Sequence, residues 1–428
     1  MKITSFYDLE EFDLIDDYDK NNRDIRLYEL KNVILDGISF YYPNVLLKQS
    51  SDNFYILPLK EMTMSLNKKS YYEENGMFFD SNIKNSNVIN IQDPVYYFIY
   101  NTENYFHFIY DTLPYLYLFL KIRKENPKLK LLMNFNSEKS NNFLPFIIEA
   151  LEVLNINRDD IIVHNKSYIY DKIYLSSSLT HNGLSNNPPR KEIFEIYNLM
   201  IKNAKEKSKN LNNLKIDKIY ISRRTWLNKS NLSNIGTNYT TRRKLMNEDD
   251  LVLKLQNNNY IEIFGENYSF IEKILLFNNA KEIIGSIGGT IVNCVFCNID
   301  CKIICLVSPD FLRVNGRIKY SLINKKINYF EDTYLDCDNN LIPLNTRVKI
   351  KVINSKSVSD NFQFNNNIGE IENYEGNDRY LIKLSDGRNI GWDNDKKYKK
   401  IILNKNEFDI LDYGLNSPWY INLNNLLI

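Results

Sequence analysis

Residues 260–308 read YIEIFGENYSFIEKILLFNNAKEIIGSIGGTIVNCVFCNIDCKIICLVS. Three apolar, β-prone runs (YIEIF, EIIGS and KIICLVS) alternate with SFIEKILLFNNA, whose apolar residues recur at helical spacing, and with a glycine-rich turn that leads into IVNCVF. Strands interleaved with short helices specify parallel β-structure joined by right-handed crossovers. Upstream, DKIYISRR (217–224) adds a strand and NEDDLVLKLQNN (247–258) a helix. The second half is expected to be a doubly wound α/β lobe, which takes ligands outside the carboxyl ends of its strands.

Towards the N-terminus the same alternation continues. VYYFIYN (95–101) reads as a buried strand, followed by a helix from about Thr102, the strand KLKLLMNF (128–135) and the helix FLPFIIEALEVL (143–154). IIVHN and KIYLSSS add strand-like runs, and THNGLSNNPPR (180–190), with its glycine and paired prolines, marks a lobe boundary before a long helix from Lys191 to about Lys209. Residues 1–90 alternate apolar runs with polar turns. From about Asn345 the texture changes to short strands with hairpin turns (RVKIKVI, IGEIENYEG, RYLIKLSDGRNIGW), the spacing of an SH3-like barrel. The expected division is 1–188, 189–335, 343–403, and a tail 404–428 that packs on the body.

Composition narrows the function classes. With 54 Lys plus Arg against 53 Asp plus Glu, the formal charge is +1, and no global field selects a polyanion. Nucleic acid is not an expected partner. The opening residues lack a basic and apolar leader, and no run reaches membrane-spanning length, so a cytosolic location without membrane association is expected. Cys294, Cys297, Cys301 and Cys305 are closely spaced, but they lie in an apolar segment where small hydrophobes are wanted, and they read as core. Asp336-Cys337-Asp338 has the Asp-x-Asp form of a metal site, yet it falls in an interdomain linker and reads as a solvated turn. His164 reads as structural, His181 as a loop residue, and no metal is expected.

Chemistry concentrates in ENYFHFIYDTLPYL (103–116). On a helix, His107 and Asp111 stand four apart on one face, just past the carboxyl end of a strand. A carboxylate beside a histidine fixes its tautomer and raises its basicity, which suits a general base taking a proton from a hydroxyl. Pro114 is expected to kink or end that helix.

The string Asn104-Tyr105-x-His107-x-x-x-Asp111-x-Leu113-Pro114 resembles the family 61 glycosyltransferases, which include plant xylosyl- and arabinosyltransferases and GlcNAc-transferases. Further motifs agree in order: Tyr220-Ile221-Ser222-Arg223, then Arg243 to Asn247-Glu248, then Ser269 with Glu272, then Gly285-Ser286-Ile287-Gly288-Gly289-Thr290-Ile291-Val292-Asn293. One departure is Ile287, where many members carry histidine.

The resemblance implies a GT-B architecture of two facing Rossmann-like lobes. It implies an inverting, metal-independent transfer from a UDP-linked sugar, GlcNAc or a pentose, to a hydroxyl of a glycan or protein, with no cofactor beyond the donor. His107 or Asp111 would deprotonate the acceptor. Ser222, Arg223, Arg243, Asn247, Glu248, Glu272, Gly288, Gly289, Thr290 and Asn293 would form the donor site. In physical terms a glycine-rich turn opening a helix lets backbone N–H groups approach a diphosphate, and an arginine at a neighbouring strand end adds a guanidinium to the same oxygens. Two rivals remain: a GT-B scaffold that has lost transfer and binds glycans or proteins, and a nicotinamide oxidoreductase, for which a clean G-x-G-x-x-G opening the first strand-turn-helix is missing.

Overall fold

The computed structural model describes residues 10–12, 27–36, 45–50, 53–57, 89–98, 104–133, 143–164, 168–176, 179–180, 189–208, 214–224, 243–309, 311–314, 318–336, 341–351, 367–384, 400–412 and 416–428. Thr102, His181, Cys337, Asp338 and the SDGRN turn lie outside them. By contacts the chain divides into two units, Met1–Leu214 with Ser269–Asn278 and Val292–Cys297, and Lys215–Tyr268 with Asn279–Ile291 and Asn298–Ile428.

The first unit is built on one mixed sheet. Its strands are β1 (Glu10–Phe12), β2 (Leu27–Asp36), β3 (Val45–Ser50), β4 (Asn53–Leu57), β5 (Ile89–Ile91), β6 (Val95–Tyr97), β7 (Lys130–Met133), β8 (Ile161–Val163) and β9 (Tyr168–Ser176). The order is β4-β3-β2-β9-β6-β7-β8, with β1 on β2 and β5 on β9. Only β9-β6-β7-β8 and the β5 pairing are parallel, while β1 to β4 and the β2–β9 join are antiparallel. The unit therefore departs from a uniformly parallel lobe, because β2, β3 and β4 pair in sequence as antiparallel neighbours and β2 joins β9 antiparallel.

The helix Glu192–Lys207 belongs to this first unit, although it lies beyond the boundary expected at 188. Its packing explains why. Ile193, Ile196, Tyr197, Met200 and Ala204 are buried, and Asn203 Nδ2 donates to the carbonyl of Val153 at 2.9 Å.

The second unit contains a five-stranded, wholly parallel sheet of β10 (Lys218–Ile221), β11 (Ile261–Ile263), β12 (Glu282–Ser286), β13 (Lys302–Leu306) and β14 (Lys326–Phe330). Its order, β11-β10-β12-β13-β14, is that of a doubly wound fold, with the topological switch between β10 and β12. The inner strands β10, β12 and β13 are largely buried, and Ile219, Tyr220, Ile283, Ile284, Ile303 and Leu306 are nearly inaccessible. That is why they read as continuous apolar runs instead of alternating ones.

After β14 come β15 (Thr333–Leu335), β16 (Arg347–Ile350), β17 (Ile368–Gly376), β18 (Arg379–Leu384), β19 (Lys400–Asn404), β20 (Phe408–Asp412) and β21 (Trp419–Ile421). The strands β16 to β20 form an antiparallel sheet, β19-β18-β17-β16-β20, around a core that includes Val348, Ile371, Tyr380, Ile382 and Phe408. The sheet runs to Asp412, past the expected limit at 403, because the 3-10 turn Lys405–Glu407, closed by an Asn404–Glu407 capping box, returns β20 to β16. The strands β15 and β21 pair as a two-stranded antiparallel ribbon, so the five-stranded sheet is an insertion between its arms. Trp419, Ile421 and Leu426 are buried with Tyr220, Leu251, Leu255, Ile284 and Leu306, and the tail is thus core of the parallel lobe.

The four cysteines at 294, 297, 301 and 305 are buried and not in disulfides, and burial pushes the Cys305 thiol well up. No helix among the described residues is long and apolar enough to cross a membrane.

Candidate active site

The strand β6 delivers the chain to Asn104, whose side-chain oxygen accepts from the His107 N–H at 3.3 Å and caps a helical segment that starts at Tyr105. The cap is Asn104, two residues beyond the expected Thr102. The segment does not remain α-helical. Phe108–Thr112 is a π-turn, Leu113–Tyr115 a 3-10 turn, and Leu116–Glu125 an α-helix, so the chain runs on past Pro114 instead of ending there. The reason lies in the hydrogen-bond register. Leu113 donates to Phe108 O, five residues back, and in that register Pro114 would serve Ile109. Proline has no N–H, and the Ile109 carbonyl accepts instead from Tyr197 Oη at 2.9 Å. Burial raises the Tyr197 phenol well above its ordinary range, which keeps it a neutral donor.

This distorted turn holds His107 Nδ1 2.6 Å from Asp111 Oδ2. The carboxylate is fully buried and the imidazole is 29% exposed. The other Asp111 oxygen accepts from Thr180 Oγ1 at 3.1 Å, so the carboxylate is fixed at both ends. An acceptor at Nδ1 assigns the proton to that nitrogen and leaves Nε2 with a lone pair. Thr180 was not marked by the sequence, since its loop has no motif of its own.

A second cluster adjoins it within the first unit. Tyr105 Oη donates to Asn293 Oδ1 at 2.6 Å, and the Lys273 ammonium lies 5.0 Å from the Tyr105 ring centre. Asn293, expected in the donor site, is thus bonded to the residue that opens the His107 turn. Glu272 closes a capping box on the helix Phe270–Asn279, accepting from the Ser269 N–H at 2.7 Å while Ser269 Oγ accepts from the Glu272 N–H at 3.3 Å. The Ser-x-x-Glu spacing is readable as such a cap, and this carboxylate is committed to the helix end.

In the second unit the remaining candidates gather at the carboxyl ends of the parallel strands. At the end of β10, Glu248 Oε1 accepts from Tyr220 Oη at 2.7 Å, Arg223 N–H at 2.8 Å and Ser222 Oγ at 3.2 Å. Burial outweighs these bonds and raises the Glu248 carboxyl above its ordinary range. Glu248 is an anchor for the strand end carrying Arg223. The neighbouring Arg224 is a structural cation, gripped by both oxygens of Glu262 and by Asp249 at 2.5 Å.

At the end of β12 the two glycines of the turn differ from Gly285. A Cβ at Gly288 or Gly289 would meet nothing within 4 Å, whereas one at Gly285 would lie 2.9 Å from Ile221 Cβ. Gly285 serves sheet packing, and Gly288 and Gly289 present open backbone. Ile287 is buried at 1% exposure, its N–H bonded to Leu306 O, so at the position where histidine is common the side chain faces the core. Thr290–Phe296 is a 3-10 helix of seven residues, tighter and shorter than the α-helix expected after the turn.

Arg243 and Asn247 lie on the segment that opens the helix Glu248–Gln256. Arg243 has φ +52°, a left-handed conformation that costs a non-glycine residue about 1–2 kcal/mol. Its guanidinium lies 4.8 Å from the ring centre of Phe311, just beyond the carboxyl end of β13. The Asn247 amide is spent on the tail, donating to Ile421 O and accepting from Ile421 N–H. No sequence signal pointed to the tail as a partner of these residues.

Residues 105–304 match the family model described as Glycosyltransferase 61, a span that takes in both the His107–Asp111 turn and the glycine-rich turn. Over that span, somewhat less than half of the chain, the protein is similar to the family 61 glycosyltransferases. No curated protein matches it. The likeness to a glycosyltransferase family points to a nucleotide-sugar donor and an acceptor as the chemistry to be weighed for the open turn and the histidine.

Proposed function

We propose that this glycosyltransferase moves a sugar, GlcNAc or a pentose, from a UDP-linked donor to a hydroxyl of a glycan or protein by a single inverting displacement without a metal. The observation that carries the reading is the 2.6 Å bond from His107 Nδ1 to a buried Asp111 that is held again by Thr180. With Nδ1 so occupied, Nε2 takes the acceptor proton as the oxygen attacks the anomeric carbon, and Asp111 stabilises the imidazolium that forms. The departing diphosphate is received by the Gly288–Thr290 backbone and by Arg223 and Arg243, while Ser222, Asn247, Glu248, Glu272 and Asn293 hold those elements in place. The doubly wound order of the parallel sheet supports a GT-B reading, with donor chemistry on the second lobe and acceptor chemistry on the first. The strand order β19-β18-β17-β16-β20, with a 3-10 turn before the last strand, supports an SH3-like module.

A panel of labelled nucleotide sugars, scored for donor hydrolysis and transfer, tests this reading. Turnover with a UDP-sugar that vanishes in His107→Ala is expected. Turnover unchanged in that variant would remove His107 from the chemistry, and preference for a non-uridine donor would correct the nucleotide.

A further inference from the structure

The matched region stops at residue 304, yet the segment that holds Arg243 comes from more than a hundred residues later. Arg243 N–H donates to the Asn416 carbonyl at 2.9 Å, and the Arg243 carbonyl accepts from Trp419 Nε1 at 2.9 Å. Both backbone groups of a residue in the left-handed region are therefore tied to the tail. The clamp continues on either side: Trp419 N–H donates to Lys244 O, Met246 N–H to Trp419 O, and Asn247 pairs with Ile421 through both amide atoms. Trp419 is wholly buried, which fixes its ring and hence the direction of its N–H.

The same Asn416 carbonyl also accepts from Asn345 Nδ2 at 3.3 Å. The Asn345 N–H in turn donates to Ile371 O on β17. A hydrogen-bonded chain thus joins the Arg243 backbone to the five-stranded sheet.

We infer that Trp419, Asn416 and Asn345 are positioning residues of the donor site, holding Arg243 in the left-handed conformation that lays its guanidinium over Phe311 at the carboxyl edge of the parallel sheet. An L-residue released from such ties relaxes to negative φ, and its side chain leaves by a different direction. The five-stranded sheet and its stem are on this view a working part of the transferase, fixing an arginine that receives the diphosphate. The inference rests on the proposed donor role of Arg243, and the test separates the two.

Calorimetry with UDP, GDP and CDP on the full-length protein identifies the diphosphate that binds, and the variants follow. Trp419→Phe keeps an aromatic ring in the core but removes the Nε1–H together with part of the indole volume, so its melting temperature is read alongside, and we expect roughly five- to tenfold weaker binding. Asn345→Gly tolerates the +61° φ of that residue, removes the amide, and is expected to weaken binding about twofold. Arg243→Asn accepts the left-handed backbone but lacks the guanidinium. In that background Trp419→Phe and Asn345→Gly should have no further effect on affinity, a coupling that a merely structural role would not produce.

If Arg243→Asn weakens binding but Trp419→Phe only lowers the melting temperature, the donor reading stands and the positioning inference is overturned. Equal losses in both backgrounds overturn it as well. If Arg243→Asn leaves affinity unchanged, or none of the three diphosphates binds the wild-type protein, the donor reading fails and takes the inference with it. Should Trp419→Phe not fold, Asn345→Gly carries the same cycle alone.

Discussion

The His107 turn and the carboxyl edge of the parallel sheet solve opposite problems. The first is a side-chain site, in which a buried carboxylate, an imidazole and Thr180 meet within hydrogen-bonding distance on a helix forced into a π-register. The second is a backbone site, in which open glycines and strand ends offer N–H groups, and Glu248 and the tail pin the arginine-bearing segments from behind. Proton transfer needs one group at one distance. A diphosphate spreads its charge over many oxygens and is met by a surface. The lesson is that the His107–Asp111 pair is local in the chain, whereas the carboxyl edge of the parallel sheet is assembled from segments far apart in sequence.

The sharpest way to break the contrast is to substitute the side-chain site. His107→Ala or Asp111→Asn should lower kcat by about 10²–10⁴-fold while leaving the melting temperature and nucleotide affinity near wild type. A loss confined to KM would show that the two regions are not separable in this way.

The backbone site is tested through its glycines. Gly285→Ala drives a methyl to 2.9 Å from Ile221 Cβ and should cost about 1–3 kcal/mol in urea denaturation. Gly288→Ala, in open space, should cost less than about 0.5 kcal/mol, and any effect should fall on diphosphate affinity instead. Equal destabilisation by both would erase the distinction between packing glycine and ligand-facing glycine.

Electrostatics gives a finer comparison. The Glu248 carboxyl is raised, so its stabilising contribution is complete below its ordinary value of 4.5 and is lost as pH rises through the higher folded value. Denaturation measured from pH 4 upward should show this decline, and Glu248→Gln should flatten it. Glu282 behaves in the opposite sense. Its carboxyl is lowered, first by the Tyr260 hydroxyl and then by Lys218 against some desolvation, so its contribution is present above the ordinary value and fades as pH falls below it. Tyr260→Phe should move that titration upward in an NMR experiment, with only roughly a few tenths of a kcal/mol in stability, since the pair is partly solvated.

Much of this was legible beforehand, for identifiable reasons. The parallel lobe announced itself because its inner strands β10, β12 and β13 are largely buried and rich in apolar residues, and His107–Asp111 because four-residue spacing survives even the widened turn. The π-register was not legible, since it depends on Tyr197 supplying a donor that Pro114 lacks, a contact across 88 residues. Glu272 was taken for a ligand although Ser269 three residues earlier spells a capping box. The helix Glu192–Lys207 groups with the first unit although paired prolines precede it in the sequence, because it is held by Val153 and Ile109. The clamp on Arg243 was hidden because nothing local in Asn416 or Trp419 says which strand they will meet.

The ribbon that carries the inserted sheet also bears on how the protein is made. Trp419 fills the same core as Tyr220 and Ile284, so the parallel lobe lacks a central side chain until the chain has been made some two hundred residues past its first strand. During synthesis the earlier strands must wait with that apolar face uncovered, a period in which chaperones have their purchase. A chain cut short after the five-stranded sheet would leave Tyr220 and Ile284 without the covering of Trp419, Ile421 and Leu426.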